Sequence, residues 1–94
     1  MVEGDMLFEW DEEKAKINKV KHGISFETAA MVFMDEERIE YFDEEHSEME
    51  DRYITIGFAG DVLLVVYTYR DPKIRLISAR IANERERKRY KDGY

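Results

Sequence analysis

Arg52-Tyr53-Ile54-Thr55-Ile56-Gly57-Phe58, Val62-Leu63-Leu64-Val65-Val66-Tyr67-Thr68-Tyr69 and Ile74-Arg75-Leu76-Ile77-Ser78-Ala79-Arg80 follow one another with only a few residues between them. Each run is rich in β-branched and aromatic side chains and has the length of a strand rather than of a buried helix. The breaks are Gly60-Asp61 and Asp71-Pro72. Glycine can enter a hairpin turn without steric cost, proline fixes φ, and aspartate accepts a local hydrogen bond, so Asp71-Pro72 suits the first two positions of a type I turn. Connections this short join antiparallel neighbours, because parallel strands need a crossover of a dozen or more residues. The stretch therefore reads as an antiparallel meander.

Outward from the meander, Arg38 to Phe42 has the composition of an additional edge strand, and Met6 to Trp10 reads as a short first strand. On the latter, Leu7 and Glu9 share one face, Phe8 and Trp10 the other. Asp11 caps a helix whose first turn holds Glu12 and Glu13 and whose last turn holds Lys19, Lys21 and His22 before Gly23, the charge order that suits the helix dipole. Ile17 and Val20 are its expected apolar stripe. Ser25 caps a second helix, where Phe26, Ala29, Ala30 and Phe33 fall on one face. Asn83 and Glu86 make a capping-box pattern that opens a short C-terminal helix. The expectation is one α+β domain over residues 1–94: an antiparallel sheet of about four strands, two N-terminal helices packed on it and a short C-terminal helix. Residues 1–5 read as a disordered or extended extension.

Ninety-four residues hold one modest core. The chain has no cysteine, which excludes disulfides, thiolate nucleophiles and thiolate metal sites. Its longest apolar run, Val62 to Tyr67, is far short of the roughly 20 residues that span a bilayer, and its acidic N-terminus lacks the basic start of a secretory signal, so a soluble cytoplasmic protein is expected. With 39% charged residues, two asparagines and no glutamine, its usage resembles that of proteins from hot environments.

The net charge of −7 is unevenly spread. After Asp61 stand nine basic and four acidic residues, and up to it six basic and eighteen acidic. An acidic protein does not coat nucleic acid non-specifically, yet a local basic face can still bind RNA. Asp35 to Asp51 holds ten carboxylates against the single Arg38, which makes it either a solvated loop or a docking surface for a basic partner.

Several chemistries find no support. The histidines, His22 and His46, lie far apart in sequence with no metal-ligand pattern around them, the five glycines form no phosphate loop, and no serine sits in a nucleophile-elbow context. No metal or other cofactor is expected. What remains is arginine, tyrosine, histidine and glutamate at the ends of elements, a set that suits phosphodiesters. Cleavage of RNA by its own 2′-hydroxyl needs a base, a cation for the charge building on phosphorus, and an acid for the leaving oxygen.

Arg75 and Arg80 lie on an otherwise apolar strand, and their odd separation puts them on opposite faces unless a bulge intervenes. Each is otherwise a solvated or ion-paired residue. Tyr67 and Tyr69 share a face and either stack on bases, donate a proton or pack in the sheet. His22 is a helix cap, or a general acid or phosphate contact. Glu9 is a general base or an exposed edge residue. The Asn83 to Lys91 helix is a nucleic-acid face, a partner surface or a solvated terminus.

Phe8-Glu9-Trp10-Asp11, Lys21-His22-Gly23-Ile24-Ser25-Phe26-Glu27, Thr55-Ile56-Gly57, Val65-Val66-Tyr67-Thr68 and Ile74 to Arg80 with Glu86-Arg87 and Tyr90 together resemble the BrnT toxins of type II toxin-antitoxin systems. The blocks occur in the family's order over nearly the whole chain. The resemblance implies a RelE-like fold, a ribonuclease that arrests translation, and a BrnA-like antitoxin that binds operator DNA through a ribbon-helix-helix region. RelE-like toxins vary in the residues they use, so the expected site is a composite of the residues read above: Arg80 and Arg75 as phosphate stabilisers, His22 or Glu9 in proton transfer and Tyr67 as a stacking or acid group. Lys19, Lys21, Arg52, Arg70, Lys88 and Arg89 are the expected RNA contacts. The acidity of residues 36–51 and of the whole chain departs from that pattern. The alternative is a non-catalytic module, a corepressor with its DNA-binding partner or an RNA-binding adaptor.

Overall fold

The computed structural model describes residues 1–93. Its elements are β1 (Val2–Glu3), β2 (Met6–Glu9), α1 (Glu12–His22), α2 (Phe26–Met31), β3 (Ile39–Phe42), β4 (Tyr53–Phe58), β5 (Val62–Arg70), β6 (Lys73–Ile81) and α3 (Glu84–Asp92), with 3-10 turns at Val32–Met34 and Glu44–His46. The six strands form one sheet in the order β1-β2-β6-β5-β4-β3. The expected meander is present as β4, β5 and β6 with β3 at its edge, all antiparallel. Six strands replace the expected four, and the sheet is mixed, because β2 lies parallel to β6 through Leu7–Lys73, Phe8–Ile74 and Glu9–Arg75. The two helices between β2 and the meander supply the crossover that a parallel pair requires. Val2 and Glu3 pair back onto Leu7 and Met6.

Hydrophobic residues divide between the two sheet faces. On one face Phe8, Phe26, Ala29, Ala30, Val32 and Phe33 pack with Leu63, Val65, Tyr67, Ile74, Leu76 and Ala79. Under α3, on the other face, Ile56, Leu64 and Ala82 form a smaller core with Ile54, Val66, Tyr41 and Tyr90 around it. The caps sit where the sequence places them. Asp11 Oδ1 accepts from the Glu13 and Lys14 amides, Gly23 closes α1 at φ 74°, Ser25 caps α2, and Asn83 and Glu86 exchange both bonds of a capping box.

The α1 stripe is corrected. Ile17 is 57% and Val20 88% exposed, and the buried residue of the helix is Asn18. Beyond Arg75, β6 has no β2 partner, and Asn18 takes that place: its Oδ1 accepts from the Ala79 amide at 3.1 Å and its Nδ2 donates to the Ala79 and Ile24 carbonyls at 2.8 and 2.9 Å. Leaving a strand edge unsatisfied under a helix costs more than exposing two aliphatic side chains.

Candidate active site

The bulge that the sequence requires to bring two arginines together is present. Val66 pairs with Ser78 and Tyr67 with Leu76, which leaves Ile77 as an extra residue on β6. Ile74 and Leu76 before the bulge and Ala79 after it therefore belong to the same helix-side core. Arg75 and Arg80 are left together on the opposite face. Their β5 partners, Thr68 and Leu64, are four residues apart, a separation of about 13 Å along the strand.

Arg80 lies in a cleft of about 330 Å³ bounded by β3, the loop after it, β4, β5, β6 and α3. Glu86 holds its guanidinium by a two-point pair, Nη1 to Oε1 at 2.7 Å and Nη2 to Oε2 at 2.8 Å. Nη1 also donates to the Ile81 carbonyl at 3.3 Å. Guanidinium has five donors, and these contacts use the edge between Nη1 and Nη2. The edge between Nε and Nη2 is left for an anion. The hydrogen bond to Glu86 raises the Arg80 pKa, and the same bond holds the Glu86 carboxyl below its usual range against the cost of burial.

Opposite stands the loop from Asp43 to Arg52, whose base is closed by the Asp43 amide on the Arg52 carbonyl at 2.8 Å and by the Arg52 amide on Ser47 Oγ at 2.9 Å. His46 Nδ1 lies 3.2 and 3.1 Å from the two oxygens of the buried Asp43 carboxylate. That contact orients the ring and leaves Nε2 for other partners. Both His46 and Arg52 line the cleft with Arg80, Ser78, Tyr41 and Glu86, and both line a second hollow of about 290 Å³ on the acidic loop. Burial pushes the Tyr41 hydroxyl up, and the Arg89 guanidinium lies over the Tyr41 ring at 4.2 Å. The cleft thus combines a fixed guanidinium, a second arginine, an oriented imidazole and hydroxyls, the groups that phosphodiester cleavage uses.

Of the residues singled out in the sequence, Arg80 and Arg52 meet in the cleft and Arg89 stands at its margin. Arg75 and Glu9 form their own pair at 2.8 Å on β6 and β2, with Lys73 3.9 Å from the same carboxylate. His22, Lys19 and Lys21 lie on α1, on the helix-bearing side of the sheet, and Lys19 Nζ donates to the Gly23 carbonyl. Arg70 pairs with Glu50, and Lys88 is exposed on α3. Tyr67 is 0% exposed and packs edge-on against Phe33, inside the core rather than in a site. His46, Asp43 and Tyr41 are not among the residues the sequence singles out for the site, and Glu86 stands out there as a helix-cap residue and a block of the resemblance rather than as a partner of Arg80. Asp43-x-x-His46 followed by Arg52 was the available signal, hidden within a run of carboxylates that reads as solvated loop.

A family model described as ribonuclease toxin, BrnT, of type II toxin-antitoxin system matches residues 10–86. The 1.1 Å crystal structure of the Brucella abortus ribonuclease toxin BrnT resembles this chain with a TM-score of 0.64 at 23% identity, covering 84% of this chain and 99% of that one. At that identity the likeness concerns the fold. No curated protein matches the sequence.

Proposed function

Because this chain belongs to the BrnT family of ribonuclease toxins of type II toxin-antitoxin systems, we propose that it is an endoribonuclease whose cleft around Arg80, Arg52 and His46 cuts RNA without a metal ion. The observation that carries this reading is the meeting, in one cleft, of an arginine held flat by Glu86 and an imidazole held by Asp43. In the reaction, a base removes the 2′-hydroxyl proton, O2′ attacks phosphorus, and the P–O5′ bond breaks. The leaving oxygen takes a proton, giving a 2′,3′-cyclic phosphate and a 5′-hydroxyl end. His46 exchanges the proton through Nε2, and Arg80 with Arg52 binds the phosphorane charge, where a fixed cation in a sheltered cleft is worth more than in water. Glu86 keeps the Arg80 plane in place and is a positioning residue.

An antitoxin neutralises the protein in the cell, reaches operator DNA itself, and releases a toxin that halts translation by cutting RNA. The test is cleavage of total RNA by purified protein in EDTA, with mapping of the 5′ ends. His46→Ala and Arg80→Gln are expected to lower the rate at least about a hundredfold, the usual worth of a general acid or base or of one oxyanion donor, with far-UV circular dichroism unchanged. Wild-type cleavage by His46→Ala, or an intact RNA pool with the unaltered protein, overturns the assignment.

A further inference from the structure

We propose that the antitoxin of this protein anchors on the aromatic face formed by Phe42, Tyr53 and Tyr69, through a cationic segment that also carries apolar side chains. The face belongs to the same side of the sheet as α1 and α2, at the end those helices leave open, and it points away from the cleft. On β3, Tyr41 faces the cleft while Glu40 and Phe42, its neighbours, face the other way. The Phe42 and Tyr53 rings meet at 5.6 Å, and those of Tyr53 and Tyr69 at 5.2 Å, both edge to face. Phe42 is 44% and Tyr69 51% exposed, so two large aromatic side chains stand in water side by side with a half-buried third between them. Contiguous aromatic surface of this kind is what protein interfaces use as anchors, because such rings bury much area while losing few torsions.

Charge decides the occupant. The patch lies beside the acidic segment 35–51; Glu40 accepts from the Tyr69 hydroxyl at 3.3 Å and pairs with Arg38 at 3.5 Å, and Arg70 is taken up by Glu50 at 3.2 Å, so the cations beside the patch are already paired. Of the segment's carboxylates Glu36, Glu37, Glu44 and Asp51 have no cation within 4.0 Å among the described residues, while Glu45 and Glu48 line the cleft or the hollow beside it. Aromatic rings can also stack bases, but phosphates would meet this row of free carboxylates, whereas lysine and arginine side chains gain from both the carboxylates and the ring faces. Phe42 immediately precedes Asp43, so a partner seated on its ring bears on the loop that carries His46. The inference rests on the toxin-antitoxin reading.

The experiment titrates the purified full-length protein with its own full-length antitoxin, and in parallel measures RNA cleavage by the free protein. Tyr69→Ala is expected to weaken the complex at least about tenfold, as loss of an aromatic anchor does. Glu44→Lys, on the exposed turn where it cannot unfold the core, is expected to weaken it and to flatten the dependence of affinity on salt. Tyr69→Ala does not alter cleavage by the free protein, and Glu44→Lys, beside Asp43 in the loop that carries His46, is read by affinity and its salt dependence alone. Wild-type affinity in Glu44→Lys together with Tyr69→Ala overturns the proposal, as does loss of RNA binding in Tyr69→Ala, which would make the face an RNA platform. A protein that cuts no RNA yet loses its antitoxin on these substitutions keeps the docking face and loses the nuclease assignment, so the two readings fail separately.

Discussion

On a regular strand Arg75 and Arg80 point to opposite sides, and the extra residue Ile77 turns the second to join the first. Asn18 sits behind that bulge and bonds both the amide and the carbonyl of Ala79, the residue before Arg80. Asn18→Leu keeps the volume but strands those two groups and the Ile24 carbonyl. It should lower stability by about 2–4 kcal/mol, since each buried group left unmade costs roughly 1–3 kcal/mol and local shifts recover part; urea unfolding measures it, and a loss under about 0.5 kcal/mol, the scale of a surface change, contradicts the account. Tyr67 is the opposite case. Among the described residues its buried hydroxyl has no hydrogen-bond partner, while its ring packs on Phe33, Tyr53 and Tyr69. Tyr67→Phe removes only the orphan oxygen, so stability should hold or rise by up to about 1–3 kcal/mol, the penalty of such a group. RNA cleavage should not change, and a tenfold slower Tyr67→Phe enzyme would return this tyrosine to the chemistry.

At the scale of elements, contact between β4 and the turn at Val32–Met34 leaves no room for a side chain at Gly57. A Cβ there would lie 2.7 Å from Val32 Cγ1 and 2.9 Å from Arg38 Cβ. Gly57→Ala should therefore cost about 1–3 kcal/mol, the usual penalty of overpacking, and Val32→Ala in the same chain should return part of it. Equal melting temperatures for Gly57→Ala and wild type would show that the layers slide apart freely. The caps, the α2 face and the meander were legible because each is written within a few residues: Asp11, Ser25 and Asn83 before helices, Phe26 to Phe33 at helical spacing, two tight turns between β-branched runs. The parallel β2–β6 pair was not, since its partners are distant in the chain and neither strand alone records its direction. Ile17 and Val20 misled because a helical stripe marks burial only when nothing polar has a better claim on the sheet, and here Asn18 does. The cleft was half legible. Arg80 and Arg52 stood out as cations among apolar or acidic neighbours, whereas the role of His46 depends on a loop closed by Ser47, Asp43 and Arg52, whose hydrogen bonds leave no periodic trace.

Over the whole molecule, charge is arranged so that the basic C-terminal half is held by the acidic body. Tyr90 donates to Asp35 at 2.6 Å and Arg87 meets Asp61 at 2.8 Å, while Arg80 meets Glu86 within the C-terminal half, so carboxylates fasten α3 to β6 at the cleft, to the turn between β4 and β5 and to Asp35 before β3. Burial pushes the Asp35 carboxyl up, but the Tyr90 hydroxyl and the amides of Phe58 and Glu37 outweigh it and leave it below its usual 3.8. The Arg87 guanidinium lowers Asp61, and the bond to Arg80 lowers Glu86 below 4.5. In each case the unfolded chain binds the proton more tightly, so this stabilisation is complete above the usual carboxylate values and is lost as pH falls through the lower folded ones. Tyr90 has the reverse sign. Its hydrogen bond to Asp35 pushes it up to about 12 from 10.0, so its contribution is complete below 10.0 and fades as pH rises through about 12. A second effect acts between these limits. The net charge of −7 at pH 7 declines toward zero at the pI of about 4.8, which relieves self-repulsion as acid is added. The melting temperature should therefore hold or climb gently from pH 8 to about pH 5 and fall steeply below about pH 4. Added salt should raise it at pH 8, where repulsion dominates, and have little effect near pH 5. Glu86→Gln should lose stability at pH 7 and show a shallower acid limb, because the carboxylate that must be protonated is gone. A melting temperature that keeps climbing below pH 4 would mean that repulsion, and not the carboxylates fastening α3, governs how this fold responds to acid.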